Sequence, residues 1–138
     1  MKSPHELAQY MLNQDEFSKW MDIKLLEIRE KYCKIEMSVK KEMINGLKTV
    51  HGGVTFSLAD SALAFSSNNT NDASVALHCA MNFTKAAKLG DVLTAESILI
   101  SDTRKTGIYD ISIKNQDGIL VASFRGTVYK IDKKVTDL

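Results

Sequence analysis

The sequence predicts an α+β fold in which a curved antiparallel sheet wraps one central helix. Three observations carry the prediction. Residues 51–68 form a run of apolar and small residues long enough for a buried helix, with Asp60 as its only charge. Two strand-like segments precede it and four follow. The later segments are joined by short turns, which fit antiparallel neighbours better than crossovers.

Taken in order, Ser3-Pro4-His5-Glu6 is a helix start: Ser as N-cap, Pro at the first position and Glu at the third. Leu7, Tyr10, Met11 and Phe17 then give a helical stripe over residues 4–18, within an N-terminal helical segment 1–20. Ile23 to Arg29 reads as a strand. Cys33, Ile35, Met37 and Val39 alternate with Lys34, Glu36, Ser38 and Lys40, the pattern of a half-exposed strand. Lys41 to Val50 is a loop containing Asn45-Gly46. The central helix follows and ends at the turn signals Asn68-Asn69 and Asn71-Asp72. Ser74 to Lys85 and Val92 to Ser101 are strands separated by the turn Leu89-Gly90-Asp91. Asp102 to Gly107 is a polar connection. Tyr109, Ile111 and Ile113 alternate with polar residues, Asn115-Gln116-Asp117-Gly118 is a hairpin turn, and Ile119 to Ile131 is the last strand. Residues 132–138 read as a frayed polar tail. The 138 residues form a single domain in this reading.

Composition narrows the function. The chain is 44% apolar and 25% charged, with a net charge of +1. No basic excess exists to neutralise phosphates, so nucleic acid is not an expected partner. No run of about 18 apolar residues occurs and the N-terminus lacks an apolar signal core, so no membrane partner is expected and the chain reads as cytoplasmic. Cys33 and Cys79 fit no metal spacing and read as free buried thiols. His5, His51 and His78 make no zinc set, and no metal is expected. No Gly-x-Ser-x-Gly elbow exists for a serine nucleophile.

The chemistry concentrates at His51-Gly52-Gly53 and Asp60. A helix N-terminus offers free N–H donors and partial positive charge, a natural cradle for an oxyanion. Asp60 lies seven residues after Gly53, on roughly the same face but about 10 Å along the axis. One helix therefore cannot bring both groups to one small carbonyl. Two such helices packed antiparallel about a two-fold axis can, each N-terminus facing the other's Asp60. A carboxylate on an apolar helix expects burial and needs a partner or a role. Each residue also has a plain structural reading: the glycines as a tight helix entry, Asn45 as a turn, His51 as a cap, Ser61 as a locally bonded hydroxyl.

Asn45-Gly46, His51-Gly52-Gly53 and Leu58-Ala59-Asp60-Ser61 together resemble the signature of hotdog-fold acyl-CoA thioesterases of the phenylacetic-acid-degradation (PaaI) type. Asn82-Phe83-Thr84, Lys88-Leu89-Gly90-Asp91 and Phe124-Arg125-Gly126-Thr127 are similar too. The resemblance spans roughly residues 20–131. It implies a hotdog fold, a homodimer with active sites at the interface and commonly a homotetramer. It implies an acyl-CoA substrate with no cofactor beyond the coenzyme A that the substrate carries. It assigns the Gly52 N–H to the thioester carbonyl, Asp60 of the other subunit to general base or nucleophile, Asn45 to orienting substrate or water, and places His51 beside the donor. Family members often carry Ser or Thr on the strand after the helix, near the carboxylate; counting back from Asn82, His78 falls there. Gly53, Ser61 and Asn82 are further substrate-site candidates. Lys85, Lys88, Arg104, Lys105, Thr106 and Arg125, at strand ends and connections, are candidates for the coenzyme. Two rivals stay open: a hydratase or dehydratase of the same fold using His51 or His78, and an acyl-CoA-binding sensor without turnover.

Overall fold

The computed structural model describes residues 1–138. The N-terminal stripe folds as two helices, α1 (Pro4–Gln14) and α2 (Glu16–Trp20), where sequence periodicity suggests one. Ser3 and Glu6 form the expected capping box, the Ser3 hydroxyl accepting from Glu6 N–H at 3.1 Å and Glu6 accepting from Ser3 N–H at 3.2 Å. Asp15 breaks the helix: its backbone closes α1 and its carboxylate caps α2.

Strands β1 (Lys24–Arg29), β2 (Tyr32–Ser38), β3 (Asp72–Phe83), β4 (Val92–Asp102), β5 (Thr106–Lys114) and β6 (Leu120–Lys134) form one antiparallel sheet in the order β1-β2-β4-β5-β6-β3. Helix α3 (Gly52–Ser67) lies on its concave face. Leu58, Leu63 and Phe65 of α3 meet Ile35, Met37, Leu93, Ile111, Ile113 and Phe124 of the strands in one buried core. Gly126 marks the closest approach of helix to sheet: a Cβ there would stand 2.6 Å from a Leu63 methyl. The sheet thus wraps a central helix, as the sequence predicts.

Two edges remain, β1 and β3. Helix α1 packs against β1. On β3, Val75, Leu77 and Phe83 are 51%, 63% and 59% exposed, an unusual apolar load for an unpaired edge.

The polar tail is ordered, contrary to the frayed end expected from composition. Strand β6 continues to Lys134, a 3-10 turn covers Val135–Asp137, and Val135 is buried. Asn71 holds this turn, accepting from Val135 N–H through its backbone and from Thr136 N–H through its side chain. A composition reading has no access to that contact, which joins residues 65 apart.

Candidate active site

The start of α3 carries an unspent donor. His51 is the N-cap, and its Nδ1 accepts from Gly53 N–H at 2.9 Å. The Val54 N–H reaches the His51 carbonyl at 2.9 Å. The Gly52 N–H has no partner within the chain. His51 therefore consumes Gly53 as a donor and leaves Gly52, which opens onto a cleft of about 410 Å³ lined by Thr49, Val50, Thr55, Phe83, Lys85 and Val121. A side chain on Gly52 would come within 3.2 Å of the Phe83 ring, so only a bare backbone leaves this wall of the cleft unobstructed.

Asn45 sits across the loop that leads into the helix. Its Oδ1 accepts from Leu47 N–H at 2.8 Å and Thr49 N–H at 3.2 Å, and its amide donates to Thr49 Oγ1 at 3.2 Å. Within one protomer Asn45 is thus a loop organiser, and its Thr49 partner lines the cleft beside Gly52.

Asp60 departs from the expectation of burial. It is exposed on the protomer surface and makes no hydrogen bond or ion pair within the chain. The physical reason is that the apolar run does not bury every face of α3: Gly53, Asp60 and Ala64 form an open stripe. Partial desolvation, then the nearby carboxylate of Asp15, raise the Asp60 pKa above the ordinary carboxylate value.

On β3 the residue turned toward α3 is Cys79, whereas counting along the sequence suggests His78. The register from His78 to Asn82 is unbroken, so strict alternation puts Cys79 on the helix side and His78, like Asn82, on the opposite side. Cys79 pairs with Gly126 on the face that meets α3 and packs on the core, and burial followed by Asp60 push its thiol pKa upward. His78, paired with Thr127, is exposed on the convex face. Asn82, paired with Ser123, lies on that face too.

Ser61 is buried and bonds to Ser18, 43 residues away, at 2.9 Å, rather than locally. Of the basic candidates, Lys85 lines the Gly52 cleft. Lys88 lies in the turn before β4, its N–H donating to Asp91 at 2.9 Å. Arg125, expected at a strand end, sits within β6 and forms a bidentate pair with Asp110 at 2.6 and 2.8 Å. Arg104 and Lys105 belong to the β4–β5 connection and Thr106 opens β5, with Arg104 beside the first residues of β3. Gly52 lies at the other end of that 12-residue strand, roughly 36 Å away along an extended chain. One protomer therefore does not unite the two basic groups. Arg104 instead lines a groove of about 600 Å³ shared with Lys130, Lys133, Lys134, Asp72 and Asp132.

Phe83, Cys79 and Asp15 are neighbours of the candidate groups that sequence reasoning missed. For Asp15 a signal existed: Asp15-Glu16-Phe17-Ser18 is itself a helix-start pattern. No three acidic, histidine or cysteine side chains converge as metal ligands, and no helix is long and apolar enough to cross a membrane.

A helix wrapped by a six-stranded sheet, opening on a free glycine N–H and carrying one unpartnered carboxylate, fits a class of thioester hydrolases. Residues 47–122 match the family model of the thioesterase superfamily, and the chain belongs to that superfamily. Within it, the chain is of the PaaI type. It is 36% identical over 129 residues to the acyl-coenzyme A thioesterase PaaI of Escherichia coli K12, covering 94% of this chain and 92% of the relative. It superposes on the structure of the E. coli PaaI protein from the phenylacetic acid degradation operon with a TM-score of 0.93, at 35% identity and 95% coverage of both chains. It is also similar to a hypothetical thioesterase from Streptococcus pneumoniae TIGR4 solved with coenzyme A: TM-score 0.85, 25% identity, 91% of this chain and 98% of that one.

Proposed function

We propose that this thioester hydrolase acts on acyl-CoA, releasing a carboxylic acid and coenzyme A. The relative named as an acyl-coenzyme A thioesterase and the similar protein solved with coenzyme A support the substrate class. The observation that carries the mechanism is the pair of unspent groups on α3, the Gly52 N–H and Asp60. The Gly52 N–H, at the positive end of the helix, holds the developing oxyanion. Asp60 activates water or attacks the carbonyl; its raised pKa makes it a stronger base than an ordinary carboxylate. Asn45 and His51 shape the entry: the first holds the loop, the second removes the competing donor of Gly53.

Because Gly52 and Asp60 are eight residues apart on one helix, the complete site takes each from a different protomer. Pairing of the exposed β3 edges, which would cover Val75, Leu77 and Phe83, supplies the two-fold contact. A dimer is the minimum and a tetramer the expected assembly. Lys85 is placed beside the cleft for the coenzyme's phosphates, and the reaction needs no separate cofactor.

The deciding experiment is thiol release across aromatic, short and long acyl-CoAs, with enoyl-CoA hydration run in parallel. Release from at least one thioester is expected. Hydration without release, or tight binding without turnover, would replace the hydrolase reading with the hydratase or sensor one. The shared site is tested by mixing Gly52→Pro with Asp60→Asn. Heterodimers should regain activity toward half, and verified heterodimers that stay inert would place both groups in one chain.

A further inference from the structure

Three threonines border the Gly52 cleft, and two of them spend their hydroxyls inside the chain. Thr49 Oγ1 accepts from the Asn45 amide at 3.2 Å, and Thr84 Oγ1 donates to the Leu120 carbonyl at 2.8 Å. A hydroxyl inside a helix can also turn back on the carbonyl four residues earlier. Ser57 does so, donating to the Gly53 carbonyl at 2.7 Å. Thr55 does neither: its hydroxyl makes no hydrogen bond within the chain, although the residue is only 5% exposed. Ser74 Oγ is the single buried side-chain polar atom sealed away from every partner. The Thr55 hydroxyl is unbonded but not sealed, so it keeps a share of that small surface, on the cleft.

We infer that Thr55 is a substrate contact, its hydroxyl accepting from the amide N–H nearest to sulfur in the coenzyme's arm. The inference rests on the acyl-CoA reading of the site. Thr55 follows Gly52 by three residues, which puts both on one face of α3, about 4.5 Å apart along the axis. In an acyl-CoA, sulfur and two methylenes separate the thioester carbonyl from that amide, a reach of about one helical turn. A carbonyl held at the Gly52 N–H therefore brings the amide to the level of Thr55. The neighbouring wall is apolar, built from the buried Val50, Ala87 and Val121. An amide N–H laid against it without a partner would lose its water for nothing in return. Lys85, which makes no ion pair, borders the same cleft. The cleft thus offers a free N–H, a free hydroxyl and a free ammonium, in keeping with a carbonyl, an amide and a phosphate on one ligand. A hydrocarbon acyl group has no use for the last two.

Thr55→Val removes the hydroxyl at nearly constant shape, and Thr55→Ser keeps it. Both are assayed beside wild type with one acyl group on three thiols. These are coenzyme A, N-acetylcysteamine, which retains only the amide nearest sulfur, and propanethiol, which has none. Thr55→Val should lose about tenfold in kcat/KM on the first two thioesters, mainly through KM, and keep its rate on the third. Thr55→Ser should stay within about threefold of wild type on all three. Equal losses on the three thioesters, or no loss on any, would overturn the inference, as would a loss that follows the acyl group instead of the thiol. Calorimetry with coenzyme A itself needs no turnover. Weaker binding in Thr55→Val, recovered in Thr55→Ser, upholds the contact even where no thioester is hydrolysed, and then the hydrolase reading alone fails. Equal affinity in all three proteins overturns the contact whatever the enzyme does.

Discussion

The two ends of α3 treat their polar groups in opposite ways. At the C-terminal end three asparagines are fully engaged. Asn68 donates to the Ala64 carbonyl at 3.0 Å and accepts from Ser74 N–H at 2.8 Å. Asn69, completely buried, accepts from Lys31 N–H and donates to the Arg29 and Tyr32 carbonyls, tying the β1–β2 turn to the helix. Asn71 binds the C-terminal turn. At the N-terminal end His51 satisfies Gly53 while Gly52 faces a cleft unbonded. One end is a structural joint and the other the proposed site. The distinction lies in which groups remain unpaired, since both ends read from sequence as clusters of small and polar residues.

The sharpest way to break this comparison is to delete the free donor. Gly52 is the first residue of α3, where proline is tolerated, and His51 with φ −59° and ψ 131° already has the extended backbone proline demands of its predecessor. Gly52→Pro should therefore fold and lose about 10²–10³-fold in kcat. Gly52→Ala meets the same Phe83 ring but keeps the N–H, and should lose far less. Equal losses in the two variants would assign the effect to crowding.

Next in size is Asp60→Asn, expected to lower turnover by about 10²-fold, at the low end for a general base, with substrate binding retained. Its stability should rise at neutral pH. The folded chain holds the Asp60 proton more tightly than the unfolded chain, because the folded pKa is raised. The ionised form thus costs stability above that pKa, and the cost disappears as pH falls through it toward the unfolded value. The stability gap between wild type and variant should shrink on acidification. A variant less stable than wild type at pH 7 would mark Asp60 as a structural charge.

Asn69→Ala tests the other end. It strips partners from one N–H and two carbonyls, and should cost about 2–3 kcal/mol in denaturant unfolding. Specific activity of the folded fraction should be unchanged, and a fall in kcat at full folding would erase the division between joint and site. The smallest effect belongs to His51→Ala, which removes the N-cap at a cost of about 1 kcal/mol and frees the Gly53 N–H. A modest loss of rate with altered acyl preference is expected, read from kcat/KM across the thioester series.

The sequence revealed the layers better than the faces. Apolar periodicity located α3 and alternation in Cys33, Ile35 and Met37 oriented β2, because burial and side-chain direction follow one period there. On β3 the register from His78 to Asn82 is regular, so His78 shares the outer face of Asn82; counting back from Asn82 fixed a position along the strand and not the face that meets α3. The engaged asparagines were legible only as turn formers, since Lys31 and Thr136 lie 38 and 65 residues from their partners. That Gly52 opens α3 and Asp60 lies two turns further along it was legible from the apolar run and its glycine start. The exposure of Asp60 was not, because a high apolar content does not reveal which stripe of a helix the sheet leaves uncovered.

The uncovered edge of β3 makes the chain's own abundance a condition of its health. A newly made protomer presents Val75, Leu77 and Phe83 along an unpaired strand, a template open to any extended segment it meets. In the proposed dimer a second folded copy would close that template, whereas an unfolded neighbour would extend it. On that proposal dilution would deprive the chain of its mate, while crowding with unfolded protein would supply the wrong one. Good yield would then lie between, where each copy folds before the next arrives and the two are dense enough to meet.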